Sequence, residues 1–132
     1  MGDGGDAVRL ATCLLMVMFL GTTAYGGDVV NEDFKLLAAD GAEGDYFGWS
    51  VSISGDTAVI GAVLDDDNGD SSGSAYVFHF DGTQWTQEAK LLAADGAVGG
   101  GFGVSVSISG DAAVIGAYVN DDNGDSSGSA YV

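Results

Sequence analysis

An internal repeat accounts for most of this 132-residue chain. Residues 35–77 match residues 90–132 at 35 of 43 positions without a gap, at an offset of 55 residues. The core of the unit reads FGWSVSISGDTAVIGA at residues 47–62 and FGVSVSISGDAAVIGA at residues 102–117. Self-similarity at a fixed period is typical of architectures in which one supersecondary unit packs on the next. We therefore predict that one structural unit is used more than once.

The repeated unit has the residue pattern of a β-sheet. From position 50 to position 54, serine alternates with Val51 and Ile53, which is the period of a strand with two different faces. Gly55 and Asp56 then form a tight-turn pair, followed by a run that is apolar on both faces, as in a buried central strand. The predicted strands of the unit are residues 47–54, 57–64, 74–80 and 83–92, with an additional strand at residues 34–39.

The fourth strand has a competing interpretation. Residues 88–94 are rich in Ala and Leu and contain Lys90, and these residue types favour a helix. The alternation from residue 83 to residue 91 instead predicts an outer strand, with Trp85 and Leu91 on the same face. We adopt the strand.

Differences between the two copies indicate where the surface tolerates change. The loops at residues 40–46 and 95–101 differ, which is typical of a tolerant surface loop or of a loop that contacts a ligand. Trp49 becomes Val104, and Val63 becomes Tyr118, so a large side chain has moved between neighbouring strands. We interpret this exchange as a compensating change of volume.

The chain is strongly acidic. Lys and Arg total 3 against 20 Asp and Glu, for a formal net charge of -17 at pH 7. Such a surface is repelled by the phosphates of nucleic acids and by anionic membranes, so we expect no nucleic-acid partner. It attracts cations, including calcium, although a requirement for solubility accounts for the same composition.

The N-terminal residues have the pattern of a secretory signal peptide. The apolar run at residues 10–20 follows Arg9 and is too short for a typical membrane span, and Ala24 and Gly26 fit the positions before a cut at Gly27. We predict a signal peptide at residues 1–26, a secreted extracellular protein, and no membrane insertion after signal removal. An uncleaved anchor and a buried helix are the alternatives.

Two acidic loops are the strongest candidates for a binding site. Residues 65–73 read DDDNGDSSG, and residues 120–128 read NDDNGDSSG. Calcium takes about six to eight oxygen ligands, which loops of Asp, Asn and Gly supply. The register departs from the pattern D-x-[DN]-x-[DN]-G, because Leu64 and Val119 take the first ligand position, so a solvated turn is the alternative interpretation. The candidate metal ligands are Asp65, Asp66, Asp67, Asn68, Asp70, Asp121, Asp122, Asn123 and Asp125.

No residue pattern indicates catalysis. The sequence reveals no carboxylate in an apolar setting that would tune its pKa, and His79 is the only histidine. Ser71 and Ser126 have the G-x-S-x-G spacing in the GDSSG stretches at residues 69–73 and 124–128, but these stretches belong to acidic loops between predicted strands and not to the strand-to-helix turn that makes such a serine a nucleophile. The glycines at residues 99–101 lack the lysine of a phosphate-binding loop. We therefore predict that the chain is not an enzyme and has no catalytic residues.

The core of the unit resembles the FG-GAP repeat, the blade unit of integrin-alpha-type β-propellers, over about residues 34–132. The residues that carry the likeness are Phe47-Gly48 with Gly61-Ala62 and Phe102-Gly103 with Gly116-Ala117. Val63 and Tyr118 stand in place of the proline of the family motif. The resemblance implies an all-β fold of four-stranded antiparallel propeller blades. The family's calcium loop lies between Phe-Gly and Gly-Ala-Pro, where this chain has only the Gly55-Asp56 turn, so that site does not carry over.

The repeat length sets a domain plan. We predict an entry strand and loop at residues 27–46, which supply the outer strand of a preceding or closing blade, a first blade at residues 47–101 and a truncated second blade at residues 102–132. A propeller needs about four to eight blades. The remaining blades are therefore expected from a longer chain or from self-association, and an open β-solenoid is a further alternative.

The resemblance implies an extracellular, non-enzymatic binding or adhesion module with a protein or glycan ligand, assisted by calcium. Two alternative functions stay open at this point. One is an accessory propeller segment of a larger secreted enzyme, and the other is a purely structural surface repeat protein.

Overall fold

The computed structural model describes residues 32–132, which form two antiparallel β-sheets. The first sheet, repeat 1, has the order β1 (Phe47–Ser54), β2 (Thr57–Ala62), β3 (Ser74–Phe80) and β4 (Trp85–Leu91), and the second, repeat 2, has the order β5 (Phe102–Ser109), β6 (Ala112–Ala117) and β7 (Ser129–Tyr131). The predicted all-β fold of antiparallel blades is confirmed. Within these residues no helix has the length and apolar character needed to cross a bilayer. The predicted signal peptide lies outside the described residues.

The first hairpin follows from its sequence. β1 and β2 pair from Ser54–Thr57 outward, joined by a two-residue turn in which Gly55 has a φ of 57°, a conformation that glycine adopts without strain. At the other end of β1, the register shifts between Phe47 and Ser50, where Gly48 has a φ of 92°. This bulge lets the Phe47 ring pack edge-on against the aromatic rings of β3.

The two sheets stack face to face. We call the face of repeat 1 that carries Ala58, Ile60 and Tyr76 its front face, and the opposite face, with Val59 and Ala75, its back face; the equivalent faces of repeat 2 take the same names. The back face of repeat 1 packs against the front face of repeat 2 and forms an apolar core. Its buried members are Val59, Ala75, Ala93, Phe102, Ile115 and Ala117.

Serines of β1 fix the position of one sheet on the other. Their hydroxyl groups bond to the backbone of repeat 2: Ser50 Oγ donates to the Gly103 carbonyl (2.7 Å), and Ser52 Oγ and Ser54 Oγ accept from the N–H groups of Ile108 (3.1 Å) and Gly110 (3.2 Å). A β-carbon at Gly61 would meet the Gly103 carbonyl oxygen, so this close approach requires glycine on β2.

Two predicted strands are shorter in the structure. β2 ends at Ala62 rather than at residue 64, because the chain turns there and the Asp65 N–H donates to the Ala62 carbonyl. β4 begins at Trp85 rather than at residue 83. The Asp81 carboxylate accepts hydrogen bonds from the N–H groups of Thr83 and Gln84, which holds these residues in the turn.

Residues 88–94 form no helix, and β4 is a strand as predicted, but its side chains do not share one face. The register with β3 shifts where Gln87 pairs with Phe78 and Ala89 pairs with Val77, which leaves Glu88 as a bulge residue. Trp85 therefore packs on the front face of repeat 1, whereas Leu91 packs in the core between the repeats.

The structure assigns no strand to residues 34–39, whose predicted partner is a strand of another blade. This stretch, which with Asp40 we call the leading segment (residues 34–40), has no strand hydrogen bonding among the described residues. It lies instead across the front face of repeat 1, where Leu36 and Ala38 pack against the apolar cluster. Leu91 and Ala93, at the equivalent positions, pack in the same way on repeat 2.

Candidate functional site

The acidic loop of repeat 1 is organised around a lysine. The Lys90 ammonium group, on β4, lies 2.8 Å from carboxylate oxygens of both Asp40 and Asp65 and also contacts Asp67. The Asp65 side chain is only 4% exposed and accepts a second hydrogen bond from the Tyr76 hydroxyl at 3.0 Å. Lys90 also lies over the Tyr76 ring, 5.2 Å from its centroid. The loop, the leading segment and two strands thus meet at one ammonium group.

The pKa values of the cluster follow from these contacts. Hydrogen bonding to Lys90 lowers the pKa of Asp40. Burial opposes ionisation of Asp65, but hydrogen bonds from Lys90, from the Asp67 N–H and from Tyr76 together lower its pKa. Burial raises the pKa of Tyr76 to about 12. Burial would lower the pKa of Lys90, but its carboxylate partners raise it. At neutral pH the cluster is a compact set of ion pairs.

The other predicted ligands of this loop bind protein groups. Asp66 Oδ1 accepts from the Ser71 N–H at 2.7 Å, and Asn68 Nδ2 donates to the Ala93 carbonyl at 2.8 Å. The Asp70 carbonyl accepts from the Gly99 N–H at 2.8 Å. The loop therefore connects repeat 1 to the segment that enters repeat 2. Neither the predicted calcium loop nor the alternative of a solvated turn included these contacts.

Repeat 2 has the same loop without an equivalent lysine among the described residues. Asn120 takes the place of Asp65, and its Nδ2 donates to the Tyr131 hydroxyl at 3.1 Å. Tyr131 in turn donates to Asp95 Oδ1 at 2.8 Å. The neighbouring Asp95 carboxylate raises the pKa of Asp122, whereas the hydrogen bond from Tyr131 lowers that of Asp95.

The remaining candidates in repeat 2 bond locally. Asp121 Oδ1 accepts from the Ser126 N–H at 2.6 Å, and Asp125 Oδ1 accepts from the Ser126 hydroxyl at 3.4 Å. The Asn123 N–H donates to Ser127 Oγ. Across residues 32–132, no group of three or more His, Cys, Asp or Glu side chains is arranged to hold a metal ion. Calcium at these loops stays a prediction, and the folded loops do not bring the predicted ligands together around a common point.

A second surface feature is an apolar groove where the two repeats meet. Its volume is ≈ 450 Å³, and its lining residues are Tyr46, Trp49, Val63, Leu64, Val104 and Tyr118. The rings of Tyr46 and Trp49 lie 6.0 Å apart, and both side chains are exposed, as is that of Tyr118. We call this feature the aromatic groove. It places all four residues of the predicted exchange, Trp49 and Val63 of repeat 1 and Val104 and Tyr118 of repeat 2, on one surface.

The aromatic groove contains an unusual backbone conformation. Tyr46 has a φ of 54°, in the left-handed region that bulky residues rarely occupy. Its counterpart Gly101 has a φ of 64°, and a β-carbon there would meet the Tyr118 ring. The two copies thus fill the groove differently. Repeat 1 has the Tyr46 ring, whereas in repeat 2 the Tyr118 ring occupies the space beside Gly101, which has no side chain.

Sequence reasoning missed the centre of the acidic cluster and the aromatic groove. One signal for the cluster was available: beyond Arg9, the only basic residues are Lys35 and Lys90, and they occupy the same position of the repeat. In so acidic a chain, a lysine that recurs in phase indicates a structural role. For the groove, the signal was that the loop change at Tyr46 accompanies the exchange at residues 49 and 63.

Comparison with known proteins identifies the repeat. A sequence model of the FG-GAP repeat matches residues 30–78 and residues 85–132. The two matches cover most of the chain and coincide with the two copies. No curated protein matches the chain.

Proposed function

Because the chain belongs to the FG-GAP repeat family, we propose that it is a non-enzymatic binding module whose ligand contacts the aromatic groove. The observation that carries this proposal is the location of the differences between the copies. All six lining residues occupy repeat positions at which the two copies differ, although 35 of 43 positions are identical. The lining accounts for four of the eight positions at which the copies differ, and a constant framework that carries a variable surface is expected of a scaffold that presents a binding site.

The strained residue supports the same surface. A non-glycine residue at positive φ costs roughly 1–3 kcal/mol and is retained where the surroundings or the function require it. Tyr46 is 58% exposed, so burial of its ring does not account for the strain. Its ring lies instead beside Trp49 at the open groove, where it is available to a ligand.

The lining indicates the class of ligand. Exposed Trp and Tyr rings with aliphatic neighbours form the kind of surface that buries apolar anchors of a protein partner. A glycan would also require several convergent polar groups, and the side chains of the groove lining supply three, the hydroxyl groups of Tyr46 and Tyr118 and the indole N–H of Trp49. We therefore propose a protein segment with an apolar anchor. The net charge of -17 favours basic residues beside that anchor.

The proposed setting is extracellular. The support is the short apolar run at residues 10–20 with small residues before Gly27, which has the composition of a secretory signal.

The test is selection of a phage-displayed random peptide library on the full chain. We expect enriched peptides with an aromatic or branched aliphatic residue next to Lys or Arg. The Trp49→Val and Tyr118→Val variants, each carrying the residue of the other copy, should weaken binding at least about tenfold. Leu37→Ala is the matched control, because Leu37 is exposed but lies outside the groove lining.

Binding is measured by titration of each synthetic peptide with fluorescence detection, since Trp49 should report occupancy of the groove. Peptides that bind Trp49→Val and Tyr118→Val as tightly as the unmodified chain would refute the groove as the site. A library that yields no peptide above background would refute the proposed class of ligand.

A further inference from the structure

The front face of repeat 1 is apolar, and two of its residues on β1 are exposed. Val51 and Ile53 are 66% and 64% exposed, and with Leu36, Ala58 and Ile60 they line an open apolar surface. Their counterparts in repeat 2, Val106 and Ile108, are partly buried because the back face of repeat 1 covers them. Within the molecule, a front face is thus covered by the back face of the neighbouring repeat.

That covering surface also has an uncovered copy. On the back face of repeat 2, Val114 is 43% exposed, whereas its counterpart Val59 is fully buried between the repeats. Ser105, Ser107 and Ser109 are exposed, and they correspond to the serines through which β1 bonds β5. One chain therefore presents both halves of the interface that already joins its two repeats.

We propose that a second copy of this chain docks head to tail, with the back face of its repeat 2 covering the front face of repeat 1. The internal interface specifies the contacts. Ser105 Oγ of one copy donates to the Gly48 carbonyl of the other, and Ser107 Oγ accepts from the Ile53 N–H. These contacts repeat the Ser50–Gly103 and Ser52–Ile108 hydrogen bonds at an offset of 55 residues.

The sheet edge of repeat 2 fits the same arrangement. Among the described strands, β7 pairs only with β6, whereas β3 pairs with both β2 and β4. The leading segment packs on repeat 1 as the end of β4 and Ala93 pack on repeat 2, so it lies where an outer strand of a preceding blade would end. In the docked pair, Ala130 is expected opposite Leu36 and Tyr131 opposite Lys35, as Ala75 is opposite Leu91 and Tyr76 opposite Lys90.

Charge complementarity supports this register. Lys35 forms no salt bridge with any residue of Glu32–Val132, although its equivalent Lys90 holds three carboxylates. In repeat 2, Asp95 and Asp122 lie together, and the pKa of Asp122 is raised by its neighbour. Docking brings the Lys35 ammonium group of one copy to this carboxylate pair of the other, as Lys90 is brought to Asp40 and Asp67.

A second copy is the favoured occupant because the front face of repeat 1 is complementary to the back face of repeat 2, and neither face is complementary to a copy of itself. Contacts of this heterologous type close into a ring or extend as a filament. Apart from Lys35, Asp95 and Asp122, which pair with opposite charge, the contact residues named on the two faces are aliphatic residues and serines. An isologous dimer would place two front faces together and leave the serines of β5 without their backbone partners.

The test uses one variant of each face in the full chain. Ile53→Glu places a charge on the front face of repeat 1. Gly116→Ala blocks the back face of repeat 2, because its counterpart Gly61 has the Gly103 carbonyl oxygen in the way of a β-carbon, whereas at Gly116 only the rotatable Ser105 hydroxyl is nearby. Val98→Glu is the control, because Val98 is exposed and repeat 1 already carries Glu43 at that position.

Sedimentation velocity over a concentration series gives the readout. The unmodified chain and Val98→Glu are expected to associate, and each face variant alone to associate at least about tenfold more weakly. An equimolar mixture of Ile53→Glu and Gly116→Ala should form a dimer and nothing larger, because one intact face remains on each. Val51→Glu and Val114→Glu replace either variant if it loses its circular dichroism spectrum.

A monomeric unmodified chain would overturn the proposal, as would association that is indifferent to both face variants. A mixture that stays monomeric would overturn the head-to-tail geometry. Peptide binding by a monomeric chain would leave the proposed function intact while refuting docking.

Discussion

In repeat 1 the carboxylates of the acidic loop surround an ammonium group, whereas in repeat 2 the corresponding carboxylates lie beside one another. Lys90 holds Asp40, Asp65 and Asp67. Asp95 and Asp122, which correspond to Asp40 and Asp67, have only the Tyr131 hydroxyl and local loop groups. The pKa of Asp40 is lowered by Lys90, and that of Asp122 is raised by Asp95.

The difference shows that the residue at the first loop position and its partner act together. The loops differ at one position, Asp65 against Asn120. Asp65 pairs with Lys90 on β4 and accepts from the Tyr76 hydroxyl, whereas Asn120 donates to the Tyr131 hydroxyl, which in turn donates to Asp95. Three substitutions test this difference between the repeats: one removes Lys90, one gives repeat 1 the loop residue of repeat 2, and one removes a carboxylate of repeat 2.

The largest effect is expected from Lys90→Met. This substitution leaves the Asp65 carboxylate buried without its cation, and removal of one partner of a buried pair costs about 3–5 kcal/mol. We expect the free energy of unfolding to fall by about 3 kcal/mol in urea denaturation monitored by tryptophan fluorescence.

Lys35→Met provides the matched control at the equivalent position of the repeat. Because Lys35 contacts no carboxylate of the described residues, its substitution should change the stability of the monomer by less than about 0.5 kcal/mol. Equal losses for the two variants would show that Lys90 acts through general charge and not through the cluster.

An intermediate effect is expected from Asp65→Asn, which gives repeat 1 the loop of repeat 2. Loss of a charge-assisted hydrogen bond to Lys90 should cost about 2 kcal/mol at pH 7. The pKa of Asp65 is lowered in the fold, so its contribution is present above its ordinary value of 3.8 and is lost as the pH falls through the folded-state pKa. Urea denaturation at stepped pH should therefore show a shallower acid loss for the variant, and parallel curves would contradict the assignment.

Much of the fold could be predicted because it depends on local pattern. The alternation around Val51 and the Gly55 turn define the first hairpin, and the second copy repeats them. The faces of β4 could not be predicted, because the bulge at Glu88 depends on how β4 pairs with β3. The leading segment was assigned to a strand on its own pattern, although a strand exists only where a neighbour accepts its hydrogen bonds.

The candidate site was harder to predict because its parts are distant in sequence. The acidic loops were found from composition, but Lys90 and Asp40 come from a strand and a turn on either side of the first loop. The aromatic groove combines Tyr46 and Trp49 of repeat 1 with Tyr118 of repeat 2. The repeat predicts that the two units pack on each other, but the residue pattern does not predict which loop residues this packing brings together.

The smallest effect on stability is expected from Asp122→Asn, which should stabilise the fold, whereas Lys90→Met and Asp65→Asn should destabilise it. The pKa of Asp122 is raised in the fold, so its ionisation opposes folding above that pKa, and the opposition disappears as the pH falls below the ordinary value of 3.8. Asp122→Asn should therefore raise the urea midpoint slightly at pH 7 and not at pH 3. Asp111→Asn, which removes the same charge from the β5–β6 turn, is the control.

If Lys35 of a second copy docks at Asp122, the Asp122→Asn variant should also associate more weakly. If the Asp122 carboxylate serves the docked copy, its substitution should stabilise the monomer and weaken the association. A variant that is more stable and also associates more strongly would contradict that role.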